Sequence, residues 1–149
     1  MSGGTALAVA MTTVAGLAGS VQVAVMGRFG ERIGTFEALA FATLLTAALS
    51  CGVLLIVRQS VGAYGDGARA PLWMWSAGVM GLIVILSITF ATPRIGATAT
   101  IGLLIAGQLA MGTVIDRFGL FGLEQIPIGL ERLLGIALLA AGAALSLKR

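Results

Sequence analysis

Charged residues in this chain of 149 residues fall almost entirely in short gaps between long apolar runs. The cleanest run is 95–115, twenty-one residues without a charge, bracketed by Arg94 and Asp116. At about 1.5 Å per residue a helix of that length measures roughly 31 Å, enough to cross a hydrocarbon core of about 30 Å. The same pattern recurs along the chain and predicts five helices, at about 5–26, 36–57, 71–92, 95–115 and 130–147. Pro71, Pro93 and Pro127 stand at or near the predicted boundaries, where a missing N–H costs least.

The connections are predicted to be short. RFGERIG (28–34) turns the first helix into the second, and RQSVGAYGDGARA (58–70) reads as a flexible, turn-rich loop. Thr92, Pro93 and Arg94 leave room for barely a turn, so the third and fourth helices should form an antiparallel hairpin. The stretch 116–129 is apolar for a loop and should lie along the membrane interface. Trp73 and Trp75, opening the third helix, fit an interfacial aromatic belt, with a cation-binding aromatic pair as the other reading.

Composition sharpens the class. The chain is 58% hydrophobic and 10% charged, against about 25% charged in soluble domains, so it cannot coat itself with water. An integral membrane protein of one five-helix domain follows. The first run is long enough to span and lacks a basic leader, so it reads as a retained helix rather than a signal peptide. The formal charge of +3 comes from scattered basic residues at the ends of runs, with no cluster of the kind that tracks phosphates, so nucleic acid is not an expected partner. Without histidine, and with Cys51 as the one cysteine, there is no set of residues for a metal, a disulfide or His-based catalysis, and no cofactor is expected. No GxxxxGK[ST] phosphate loop is present, and no nucleophile–base pair can be assembled, so an enzyme is not expected.

Orientation is nearly undetermined by charge. With five spans, Arg58, Arg69, Arg117 and Arg132 lie on the N-terminal side, and Arg28, Arg32, Arg94, Lys148 and Arg149 on the other. Four against five leaves the positive-inside rule almost nothing to act on. Insertion both ways, with two opposed copies pairing about an axis in the membrane plane, is one outcome; a weak bias fixed by other factors is the alternative.

Away from Glu131 and Arg132 at the start of the fifth run, three strongly polar side chains fall inside the predicted spans: Gln22, Glu37 and Gln108. Such groups are costly in a bilayer unless they face protein or a water-filled cavity, so each is a candidate functional residue. Glu37 is the one of these three that can change charge, which would let protons and a cationic substrate compete for it. The competing reading places it in the first turn of a helix capped by Thr35, where the helix dipole favours an anion. Gln108 lies near the centre of its helix, opposite a stripe of small residues at Ala99, Gly102, Ala106, Ala110 and Thr113. It is either a structural interhelical hydrogen bond or a cavity-lining amide. Gln22 shares a face with Ala8, Thr12, Ala15 and Gly19, which suggests close helix contact there. Ser87 and Thr100 are weaker candidates, because hydroxyls commonly bond back to their own helix.

The segments GRFGERIGTFEA (27–38), PLWMWSAGVMG (71–81), PRIGATATIGLLIAGQL (93–109), DRFGLFG (116–122) and ERLLGIALLAAG (131–142) carry a family likeness. They resemble the short, five-helix YdcZ-like branch of the drug/metabolite transporter superfamily, in order and over nearly the whole chain. One departure is Met26, where relatives tend to carry an Asn four residues after a Gln. Longer members of that superfamily have ten helices in two inverted halves. The resemblance therefore implies that this chain supplies one half, in the bacterial inner membrane, and pairs with an inverted second copy as an antiparallel homodimer. It further implies a secondary transporter exporting small metabolites or drug-like compounds by alternating access, with proton coupling as one drive. The other class of reading is a non-transporting membrane subunit, or one half of a heterodimeric transporter.

Overall fold

The computed structural model describes residues 3–59 and 62–147, and these are helical with no strand. In chain order the helices are α1 (Gly3–Ile33), α2 (Thr35–Arg58), α3 (Ala63–Ala68), α4 (Leu72–Ile95), α5 (Ala97–Phe118) and α6 (Leu130–Ser146). Among the described residues α1, α2, α4 and α5 are long and apolar enough to cross a membrane. The last, α6, has 17 residues and reaches about 25 Å, a little short of the hydrocarbon core. Lys148 and Arg149, counted among the flanking charges, lie outside the described residues.

Large apolar side chains are mostly exposed on all four span-length helices, while the buried positions are dominated by small residues such as Ala38, Ala99, Ala106 and Ala143. A soluble fold inverts that arrangement. Here lipid is the solvent for the long side chains, and small residues let helix backbones approach.

The chain divides into two compact units. One comprises residues 25–90. In it the end of α1 packs on α2 and α4. Phe29 meets Phe41 edge-on at 5.5 Å between ring centroids, and Gly30 lies against Thr89, whose methyl would stand 2.6 Å from a Cβ built on the glycine. The other unit holds the chain up to residue 24 and from 91 onward. Its core is α5 packed on α6, closest where Gly102 meets Ala143.

Two boundaries differ from the sequence expectation, for one physical reason. The stretch 28–34 is not a turn: α1 runs through it to Ile33, held by an Arg28–Glu31 ion pair of 2.8 Å one turn apart. Nor does Pro93 end α4, which continues two residues further to Ile95. The proline removes only the N–H that would have served the Thr89 carbonyl. Both helices stop instead at the same tripeptide, Arg32-Ile33-Gly34 and Arg94-Ile95-Gly96. Gly34 (φ 105°, ψ 149°) and Gly96 (φ 82°, ψ 159°) each form a one-residue link that a side chain would strain. Each donates its N–H to the carbonyl four residues back, on Gly30 and Thr92, and accepts from the N–H four residues on, of Ala38 and Thr100, at 2.9–3.1 Å. Nearly every backbone group is thus satisfied through the break, which matters at the edge of a bilayer.

The expected loop over 58–70 contains α3, with residues 60 and 61 outside the described ones. After α5 the chain turns through left-handed Gly119, Phe121 and Gly122. It then folds back: Ile126 N–H donates to the Asp116 carbonyl at 2.8 Å, and the Gln125 side-chain amide approaches the Phe118 carbonyl at 3.4 Å. These bonds cap carbonyls that the end of α5 leaves open. Leu120, Phe121, Leu123 and Ile126 remain exposed along this segment.

Candidate functional site

A groove of about 350 Å³ runs between α5 and α6. Leu109, Gly112, Thr113 and Asp116 form its α5 wall, and Arg132, Gly135, Ile136 and Leu139 its α6 wall. Each set follows the i, i+3, i+4, i+7 spacing of a single helix face. Gly112 and Gly135 are what keep the groove open: a Cβ on either would meet no atom within 4 Å. The antiparallel pair is in tight contact at Gly102 and Ala143, and open from Gln108 to Asp116.

An ion pair closes one end. Arg132 Nη1 donates to Asp116 Oδ2 at 2.7 Å, with the two side chains 42% and 32% exposed. Both charges oppose their own helix. Asp116 is in the last turn of α5, where the dipole favours a cation, and Arg132 is in the first turn of α6, where it favours an anion. Their neighbours Arg117 and Glu131 carry the dipole-favoured signs at those same two ends. Helix stability alone would not select Asp116 and Arg132; the pair across the groove does.

Gln108 edges this groove about 12 Å along α5 from Asp116, eight residues away. It was expected on a face of its own, opposite the small-residue stripe. Ala99, Ala106 and Thr113 of that stripe are indeed buried and Gly102 meets Ala143, whereas Ala110 is exposed. The amide, however, shares its groove with α6 rather than facing away from it, because the groove reaches round α5 from Thr113 to Gln108.

The remaining candidates do not join this groove. Glu37 sits in the first turn of α2, as one reading required, but Gly34 rather than Thr35 is the N-cap, and no side chain caps it by a hydrogen bond. The Glu37 carboxylate folds back over Gly34, where a Cβ would collide with it. Gln22 is exposed, and so are Ala8, Thr12 and Ala15 on its face, while Gly19 is half-buried. The Ser87 hydroxyl donates to the Ile83 carbonyl at 2.7 Å, and that of Thr100 to the Gly96 carbonyl at 2.8 Å, each within its own helix turn. Trp73 and Trp75 open α4 half-exposed.

Asp116 and Arg132 passed in the sequence as ordinary span-flanking charges. The signal that marks them is the pair of sign inversions, Asp116-Arg117 and Glu131-Arg132, at facing helix ends. It becomes visible only once the helix bounds are known.

Comparison with known proteins bears on this arrangement. The family model described as "Putative inner membrane exporter, YdcZ" matches residues 7–145, nearly the whole chain. Neither a curated protein nor a solved structure gave a match. That family is one of membrane exporters rather than enzymes, and its setting agrees with the four helices of spanning length. With its helices, its uncovered apolar surface and this match in hand, the chain belongs to the YdcZ family of inner-membrane exporters in the drug/metabolite transporter superfamily.

Proposed function

We propose that the protein is a proton-coupled exporter of small metabolites or drug-like compounds, working by alternating access as a pair of copies in opposed orientation. The observation that carries the coupling is Glu37. Apart from Glu131 at the start of the fifth run it is the one acid in the predicted spans, its side chain is exposed at the start of α2, and among the described residues it enters no ion pair. In this proposal an exposed carboxylate outside any described ion pair is the group for which protons and a cationic substrate compete. The near-equal basic charge at the two faces supports insertion in both orientations. An inverted pair supplies the two halves that alternating access needs.

Flux in proteoliposomes under an imposed pH gradient tests the reading. Wild type should accumulate substrate against its gradient, and Glu37→Gln should retain only downhill movement. A Glu37→Gln protein as tightly coupled as wild type would remove Glu37 from the mechanism. Reporters fused at the C-terminus should appear on both sides of the membrane in comparable amounts. A single location would leave the chain as half of a hetero-pair or as a non-transporting subunit.

A further inference from the structure

We propose that the α5–α6 groove is a binding site for a zwitterionic small molecule with an apolar body, its charged head exchanging into the Asp116–Arg132 pair and its far end reaching Gln108. The proposal rests on the exporter reading only in calling that ligand a transported one.

Charge selects the head group. The pair uses one carboxylate oxygen and one guanidinium nitrogen, so a second oxygen and further N–H donors remain for a ligand. A singly charged ligand that opened the pair would leave the partner of opposite sign to water alone, a modest loss because both side chains are partly exposed. A zwitterion instead replaces one ion pair by two, its ammonium on Asp116 and its anionic group on Arg132. Leu109, Ile136 and Leu139 wall the middle of the groove, which suits an apolar body. At about 350 Å³ the groove is at the small end of ligand sites. Gln108 argues against a lipid acyl chain, which would leave the amide without a hydrogen-bond partner, and for a polar group about 12 Å from the head.

The test uses the full chain in nanodiscs and radiolabelled α-aminodecanoic acid, with decanoate, decylamine and lysophosphatidylethanolamine as competitors. The unlabelled zwitterion should displace label at a concentration about threefold below that of decanoate or decylamine. Asp116→Asn, which frees Arg132, should improve decanoate about threefold. Gly135→Leu should abolish specific binding by filling the groove, and Gly135→Ala should weaken it. An ω-hydroxyl on the zwitterion should tighten binding to wild type and not to Gln108→Leu. Equal competition by the singly charged analogues, or binding unchanged in Gly135→Ala and Gly135→Leu, would overturn the site. Displacement by lysophosphatidylethanolamine as effective as by the solute would put a lipid headgroup there instead. Absence of binding alongside normal flux of some other substrate overturns this site alone, whereas binding without flux of any substrate overturns the exporter reading and leaves the site.

Discussion

Two glycines of α5 should respond in opposite directions to the same methyl group. At Gly102 a Cβ would stand 2.9 Å from the Ala143 Cβ and 3.3 Å from its Cα. Carbon atoms prefer about 3.5–4.0 Å, so α5 and α6 would have to part by roughly 0.6–1 Å at their tightest point. Overpacking of that kind costs about 1–3 kcal/mol, against a helix-propensity gain for Gly→Ala of up to about 1 kcal/mol. Set against the full propensity gain, the net loss for Gly102→Ala is about 0–2 kcal/mol. At Gly112 the added methyl meets nothing within 4 Å, and only the gain remains. In a chain of this size 1 kcal/mol moves the melting temperature by about 2–4 °C, so the two alanine variants, which differ by the overpacking cost alone, should melt at least about 2 °C apart, on opposite sides of wild type. Circular dichroism melts in one detergent would measure this. The double variant Gly102→Ala/Ala143→Gly, which moves the methyl from one helix to the other, should recover most of the loss. Gly102→Ala melting at or above wild type would refute the close α5–α6 contact, and with it the groove that opens beyond it.

Further outcomes follow from the breaks and the ion pair. Gly34→Ala meets a positive-φ backbone that a side chain strains, while the Glu37 carboxylate beside it is the movable end of a flexible side chain, and it should destabilise by about 1–3 kcal/mol. Adding Glu37→Ala should leave that backbone cost in place, so the double variant melts below Glu37→Ala. Gly96→Ala meets open space but keeps the left-handed backbone, and should cost only the backbone share, about 1–2 kcal/mol in chemical unfolding. For Asp116 and Arg132, a double-mutant cycle with Asn and Gln should give a coupling of about 1 kcal/mol or less, because both side chains are about a third or more exposed. The exchange Asp116→Arg/Arg132→Asp should restore the pair and also satisfy both helix dipoles, so it should melt no lower than wild type.

The membrane class, the helical content and the approximate place of each long helix follow from the sequence alone. They depend on one-dimensional quantities, the length of an apolar run against the thickness of a bilayer. The same holds for the small-residue stripe on α5, whose spacing is set by 3.6 residues per turn, and most of it is buried. The helix ends are where that reasoning fails. Gly30 looks like a turn residue and serves close approach to Thr89, while Pro93 looks like a terminator and is carried inside α4. Whether a glycine bends the chain or admits a neighbour depends on what packs against it, and composition does not record that. The groove belongs to the same class of fact. Asp116 and Arg132 are sixteen residues apart, and only the fold-back of 119–126 and the crossing of α5 and α6 bring a carboxylate within 2.7 Å of a guanidinium. Sequence decides which helices a bilayer will accept; the contacts between α5 and α6 decide that Gln108, Asp116 and Arg132 share one groove.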